Sequence, residues 1–211
     1  AYNYENDIAK HKPDSIAQRF FTAAGRPVYD SGGIKPDVEV KPDSLPEFVE
    51  YVEGSDQTAN FVAQYRQQHP TIAPASSFSF SDADYKAFVG FMKAQNFSYE
   101  NGLQNAVDFL RARAAENGYK HLAAAEFEAW SKKLTPNLDH DFTYWEDWVR
   151  RIVTLKFMQS YYNSNGMREA SLKYDNDFLE AVRLLQTPDE YQRLLAAPKQ
   201  WEQSRKMVLH G

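Results

Sequence analysis

Gly25-Arg26-Pro27-Val28-Tyr29-Asp30-Ser31-Gly32-Gly33-Ile34-Lys35-Pro36-Asp37-Val38-Glu39-Val40 combines more backbone constraints than any other stretch of the chain. Gly25, Gly32 and Gly33 can reach positive φ without a Cβ clash, while Pro27 and Pro36 hold φ near about −65° and push the residues before them into extended conformations. The pattern predicts a turn, a short extended piece, a Gly-Gly bend and a second turn. Beyond it, Val38 and Val40 alternate with Asp37 and Glu39 at the two-residue period of a half-buried strand. Upstream, Phe20 and Phe21 precede the Ala23-Ala24-Gly25 turn, so residues 26–29 are expected to pair back against them as a hairpin. This β portion should end near Lys41. Residues 1–12 are polar and aperiodic, and read as a loop.

From Ser44 the signals turn helical, because most apolar stripes are preceded by a side chain able to satisfy orphan N–H groups. Ser44-Leu45-Pro46-Glu47 has the form of a capping box and leads into Phe48, Val49 and Val52 before Gly54. Ser55 is placed to cap the next helix, where Thr58, Phe61, Val62 and Tyr65 recur at helical spacing until Pro70. After a surface loop over residues 71–79, Ser81-Asp82-Ala83-Asp84 opens a helix with the stripe Tyr85, Phe88, Val89 and Met92. A fourth helix carries Leu103, Ala106, Val107, Leu110 and Ala114 and closes on a left-handed C-cap at Asn117-Gly118. Ala123, Phe127, Trp130 and Leu134 fall on one face of a fifth. Thr143-Tyr144-Trp145-Glu146 is a second capping box, opening the longest helix, with Trp148, Ile152, Leu155 and Tyr162 as its stripe and an interruption at Gly166. Asp175 is expected to cap Phe178, Ala181, Val182 and Leu185. Thr187-Pro188-Asp189-Glu190 is a third box, with Pro at the first helical position.

Composition narrows the function classes. The 211 residues, 43% hydrophobic and 15% aromatic, suffice to bury a core in one or two compact units. A net charge of −5 argues against a general phosphate-binding surface, so nucleic acid is not an expected partner. The chain has no cysteine, which removes disulfides, thiol nucleophiles and Cys-ligated zinc and leaves the compartment open. No run of about 18 apolar residues is present, so no membrane span is expected. The residues from Ala1 onward do not form a charged-then-apolar leader, and Ala1 reads as a cut, which leaves room for a leader upstream.

Phe20-Phe21-Thr22 followed by the Gly25 to Asp37 stretch resembles the end of the protease domain in C-terminal processing peptidases, the tail-specific serine peptidases of family S41. Pro13-Asp14-Ser15-Ile16 is similar to the lead-in of their long bacterial members. The helical remainder resembles their C-terminal extension at His69-Pro70-Thr71-Ile72-Ala73-Pro74, Phe80-Ser81-Asp82-Ala83-Asp84-Tyr85 and Gly166-Met167-Arg168-Glu169-Ala170-Ser171-Leu172-Lys173. The resemblance implies a parent that recognises C-terminal tails through a PDZ domain and cuts with a Ser–Lys dyad, in the periplasm or outside the cell, free or anchored to a membrane through an upstream leader. The family's Gly-Ser-x-Ser-Ala elbow and its Lys base both precede the matched segment, and neither motif occurs here. The expected partners are therefore the PDZ and catalytic core of the parent, protein or peptide substrates, and a second copy in a homo-oligomer. A stand-alone helical interaction or adaptor module without protease activity is the alternative.

Several constellations resemble sites. Asp139-His140-Asp141 has metal-ligand residue types, but His69 or His121 would have to join without a ligand spacing. Asp82 and Asp84 suit the first turn of a helix as well as they suit paired carboxylates. Lys132-Lys133 and Arg150-Arg151 read as solvated faces or i,i+4 partners of Glu128, Glu146 and Asp147. Ser31 has no following elbow or base and reads as a turn serine. The rings of Trp130, Trp145, Trp148, Tyr161 and Tyr162 are core by their spacing, or else anchors in a groove. No residue is assigned a catalytic, cofactor-binding or metal role, and no cofactor is expected. The fold class is mainly α: a bundle-like helical domain over residues 44–211, preceded by a β-hairpin and strand segment over residues 1–43 from a protease subdomain.

Overall fold

The computed structural model describes residues 2–3, 8–9, 18–23, 25–29 and 36–196. Among these the chain is mainly helical, 66% helix in nine α-helices, with two small antiparallel strand pairs. In chain order the elements are β1 (Tyr2–Asn3), β2 (Ile8–Ala9), β3 (Arg19–Phe21), β4 (Pro27–Tyr29), α1 (Glu47–Gly54), α2 (Asp56–Gln68), α3 (Asp82–Ala94), α4 (Gly102–Glu116), α5 (Ala124–Lys133), α6 (Leu138–Tyr144), α7 (Glu146–Ser171), a 3-10 turn (Leu172–Tyr174), α8 (Asn176–Leu185) and α9 (Pro188–Leu195). Two compact units are distinguished, Ala1–Pro42 with Asn176–Gly211, and Asp43–Asp175.

In the first unit the expected hairpin is formed. β3 pairs antiparallel with β4, with Phe20 opposite Val28. Gly25 turns the chain at φ 82°, a conformation costly for any residue with a Cβ. Its N–H donates to the Thr22 carbonyl at 2.8 Å, and the Thr22 N–H donates to the Arg26 carbonyl at 2.9 Å. Arg26 ties this turn down by donating to Asp37 at 2.6 Å and to the Leu194 carbonyl at 3.1 Å.

Two local expectations fail in this unit. Residues 38–40 are irregular where alternation predicted a strand, because a period of two marks a half-buried face without supplying a partner edge. β1 and β2 pair within the stretch read as a loop, Tyr2 opposite Ala9 and Asn3 opposite Ile8. Two residues per strand are too few for a periodicity to register. Ser31, Gly32, Gly33, Ile34 and the stretch 13–16 lie outside the described residues.

The helices of this unit are tied by Arg183. Its guanidinium donates to Glu180 at 2.7 Å and to Glu190 at 2.8 Å, linking α8 to α9. Pro188 stands at the start of α9 as expected, but the Thr187 box is not made, since that hydroxyl donates back to the Arg183 carbonyl at 3.0 Å. Hydrogen bonding to Arg183 pulls the carboxyl groups of Glu180 and Glu190 below the ordinary glutamate range. A depressed folded-state pKa contributes stability above the unfolded pKa, and that contribution is lost as pH falls through the folded one. In a carboxyl NMR titration both groups should therefore protonate below the ordinary glutamate range as pH is lowered, and Arg183→Gln should move both midpoints upward.

The second unit is organised on α7. Val149, Val153, Phe157 and Met158 recur along one side of it and are fully buried, as the three-to-four-residue period requires. α1 contributes Phe48, Val49 and Val52, α2 Phe61 and Val62, α3 Phe88 and Met92, and α6 Phe142. Many rings meet edge to face, including Phe61 with Phe88 at 5.1 Å, Phe48 with Phe142 at 5.0 Å and Tyr65 with Phe157 at 4.8 Å. Such pairs contribute about 0.5–1.5 kcal/mol each beyond buried area.

At the α1–α2 corner Ser55 caps α2 by accepting from the Thr58 N–H at 3.2 Å. The buried Thr58 hydroxyl in turn donates to the Val52 carbonyl at 2.7 Å. The Ser81 cap and the left-handed Gly118 are also as expected. α4 is capped by Asn101, whose side chain accepts from the Gln104 N–H at 3.1 Å.

Two boxes in this unit are corrected. Pro46 is extended at ψ 140° and itself stands at the N-cap, so Ser44 lies too far back, and the Glu47 carboxylate accepts instead from the Gly102 N–H at 3.2 Å. Thr143 lies inside α6, and its hydroxyl donates to the Asp139 carbonyl at 2.7 Å. α7 begins without a side-chain cap because it continues directly from α6 through Trp145.

The break in α7 falls at Asn163, with φ 58° and ψ −160°, and not at Gly166. Gly166 is buried and helical; an added Cβ would lie 2.2 Å from Tyr162 Cβ. Just before the break, the hydroxyls of Tyr161 and Tyr162 donate to the carbonyls of His69 at 2.6 Å and Ile72 at 2.7 Å, holding the loop after α2. The Asn163 conformation belongs to a region used almost exclusively by glycine and costs about 1–3 kcal/mol. Asn163→Gly should raise unfolding stability by about 1 kcal/mol after the entropic cost of glycine, and Asn163→Val should lower it, as read by urea denaturation.

Candidate functional site

Two surfaces of the second unit have features that folding alone does not require. The first is a groove of about 520 Å³ between α3 and the α6–α7 junction. Asp82, Tyr85, Lys86, Val89, Gly90 and Lys93 follow one face of α3 at helical spacing, and Asp139, Phe142, Thr143, Glu146 and Arg150 form the opposite wall.

Each end of the groove is closed by ions. Arg150 donates to Glu146 at 2.8 Å, to Asp82 at 2.8 Å and to the Phe80 carbonyl at 2.7 Å, and lies 4.4 Å from the centre of the Tyr85 ring. At the other end Lys93 pairs with Asp139. Tyr85 is buried beneath and donates to the Phe142 carbonyl at 2.6 Å. Burial, with the charges of Glu146 and Asp147 and against that of Arg150, pushes its hydroxyl above the usual tyrosine range, so it stays a donor.

Between these closed ends stand Lys86 and Gly90. Both are exposed, and among the described residues Lys86 has neither an ion-pair nor a hydrogen-bond partner. Gly90 is mid-helical, and a methyl group added to its Cα would meet nothing within 4 Å. A glycine there costs about 0.5–1 kcal/mol relative to alanine. Gly90→Ala should therefore stabilise the isolated chain by about 0.5–1 kcal/mol in chemical denaturation, the opposite of Gly166→Ala.

The second surface is the α4–α5 helix pair. Leu103, Phe109, Leu110, Tyr119, Leu122 and Trp130 are exposed there, Phe109 at 61% and Leu122 at 77%. Of the stripe expected on α4 only Val107 is buried, and on α5 only Phe127. Trp130, assigned by spacing to the core, is 47% exposed. Trp145, Trp148, Tyr161 and Tyr162 instead pack partly buried against the core.

The sequence-level candidates are distributed as follows. Asp82, Asp139, Glu146 and Arg150 meet in the groove, and Asp84 takes the helix-start position beside Ser81. His140 contacts Asp141 at 2.9 Å, while the other Asp141 oxygen accepts from the Tyr99 hydroxyl at 2.8 Å. Burial and that bond raise the Tyr99 pKa. His69 stacks on Tyr65 and does not join His140, and among the described residues no three His, Asp or Glu side chains are grouped to hold a metal ion. Arg151 is no solvated charge: it pairs with Asp43 at 2.9 Å and lies over the rings of Trp148 and Tyr174. Lys86, Lys93 and Gly90 escape motif reasoning, although their i, i+4, i+7 relation on α3 places them on one face.

Fold and surfaces together define a mainly helical domain preceded by short antiparallel strands. A family described as "Probable PDZ-protease, C-terminal helical domain" matches residues 36–185, and the chain belongs to that family. No match was found among curated proteins or among solved structures. No helix among the described residues is long and apolar enough to cross a membrane.

Proposed function

We propose that the chain is the C-terminal, non-catalytic portion of a bacterial serine endopeptidase of the C-terminal processing type, family S41, and that its helical domain scaffolds the rest of that protease. The domain docks on the PDZ and catalytic portions, and through them orders assembly or access of large substrates. The observation that carries this reading is the set of large apolar side chains exposed on α4 and α5; an uncovered apolar surface on a folded domain is suited to a protein neighbour. The family match supports attachment to a PDZ-protease. The serine type and the periplasmic or secreted setting rest on the Gly25 to Asp37 resemblance. Catalysis needs a nucleophile, base and orienting group in one pocket, and in the groove Arg150 and Lys93 are instead engaged by Asp82, Glu146 and Asp139.

The purified 211-residue chain should leave an unfolded protein such as casein uncut. Deleting residues 44–211 from the full-length peptidase should preserve cleavage of a short unstructured peptide while altering molecular mass or the cleavage of large substrates. Phe109→Glu with Leu122→Glu in the full-length protein should reproduce the deletion. If small-peptide cleavage disappears in a folded deletion product of unchanged mass, or if the chain alone cuts casein until one of its own serines is replaced, the proposal is wrong.

A further inference from the structure

We propose that Asn163 is a hinge at which two copies of this chain exchange the residues from 164 onward, giving a dimer in which α7 runs straight. The proposal rests on the backbone at the break in α7, and on neither the peptidase type nor the apolar surface of α4 and α5. At that break the chain doubles back. Residues eight apart on a straight helix are separated by about 12 Å along its axis, yet an added Cβ on Gly166 would lie 3.3 Å from the Met158 carbonyl oxygen and directly against Tyr162 Cβ. No loop makes the reversal: the residues on both sides are helical, and Asn163 alone departs from helical dihedrals, at φ 58° and ψ −160°.

A strained single-residue corner between two helical runs has an alternative. With helical dihedrals at Asn163 the strain is relieved, and the 26 residues of α7 form one rod about 39 Å long. The segment beyond the hinge then loses the contacts that hold it in the closed chain. Ala170, 1% exposed, leaves the core; Lys173 gives up the Ala75 carbonyl, to which it donates at 3.2 Å; and the Tyr174 ring leaves the Arg151 guanidinium, 5.1 Å away. A second opened copy offers these same surfaces and lacks the same segment, so each contact is remade between chains. In the other unit the Arg26 bond to the Leu194 carbonyl is remade likewise.

Such an exchange reuses native contacts and changes only the hinge, and a short hinge under strain favours it. The strain is relieved twice in each dimer. Against straightening stand Asn163, Ser164, Asn165 and Gly166, four weak helix formers in succession. The residue at position 163 therefore tips the balance. Its side chain is exposed and, among the described residues, has no hydrogen-bond partner, so a substitution there acts through the backbone.

The test unfolds the intact 211-residue chain in urea, refolds it over a range of concentrations and reads its mass by sedimentation velocity. A dimer should form, in a share that rises with concentration at refolding. Asn163→Gly, which takes the corner without strain, should lower the dimerisation constant about tenfold or more, and Asn163→Ala, which favours the straight helix, should raise it by as much. Phe109→Glu with Leu122→Glu should leave it within about twofold, which separates this dimer from any contact made by α4 and α5. Because the chain has no cysteine, Ser76→Cys with Lys173→Cys gives a single site for a short bismaleimide. Both positions are exposed, and Ser76 adjoins the carbonyl that Lys173 reaches. In the exchanged dimer the reagent joins two chains, seen as a covalent dimer on a denaturing gel, whereas in the monomer it closes within one.

Circular dichroism and melting temperature confirm that each variant is folded; should Asn163→Ala fail to fold, the unsubstituted chain against Asn163→Gly carries the test. A chain that stays monomeric at every concentration overturns the proposal. So does a dimer that ignores position 163, one that is lost with Phe109→Glu and Leu122→Glu, or one in which the bismaleimide bridge closes only within single chains.

Discussion

The buried side of α7 is the constraint on which the second unit depends. Phe157 has no exposed surface and is met by the rings of Phe61, Tyr65, Phe78 and Phe80. A single long helix cannot shield its own apolar side, so shorter helices must be laid around it. This explains why α1, α2, α3 and α6 each present only a few deeply buried residues: together they cover one surface and form no independent cores. It also explains the density of aromatic rings, since large flat groups cover most area per position.

Polar groups then fix how the covering helices are placed. The Tyr85 hydroxyl on the Phe142 carbonyl joins α3 to α6, and the Thr58 hydroxyl on the Val52 carbonyl closes the corner between α1 and α2. Arg150 joins the start of α7 to the start of α3 through the Phe80 carbonyl and the Asp82 carboxylate, and is braced within α7 by Glu146. Each is a donor satisfied within the fold where an unmet partner would cost about 1–3 kcal/mol. The two neighbouring arginines at 150 and 151 thus connect distant segments in different directions, one towards residues 80–82 and the other towards Asp43.

Helix existence was legible in the residues because period and caps agree: Ser55, Ser81 and the left-handed Gly118 stand where local chemistry puts them. Boundaries were less so. Ser44 and Thr143 satisfy the letter pattern of a capping box, but Pro46 is extended and Thr143 is already inside α6. Pattern reading also marks which residues are apolar without stating whether a partner covers them. Leu110 and Trp130 have helical spacing as regular as that of Phe88, yet only Phe88 is covered. The groove escapes motif reading for a related reason: its walls come from segments far apart in the chain, and its central Lys86 and Gly90 form no motif. Residue type alone points to a helix break at Gly166, whereas the positive φ resides in Asn163 and Gly166 answers a steric demand.

The order of segments along the chain has a consequence for synthesis. The helices that cover α7 precede it, and the contact from Asp43 to Arg151 spans 108 residues. At about 5–20 residues per second, a ribosome leaves α1 waiting on the order of 5–20 s for the surface it is shaped to cover. During that interval Phe48, Val52, Phe61 and Phe88 have only partners that precede α7, such as Phe97 and Phe142, and lack the buried face of α7 itself. The nascent domain is thus most vulnerable to aggregation before α7 emerges, and pauses in translation over residues 95–145 would lengthen the exposure without altering a single native contact.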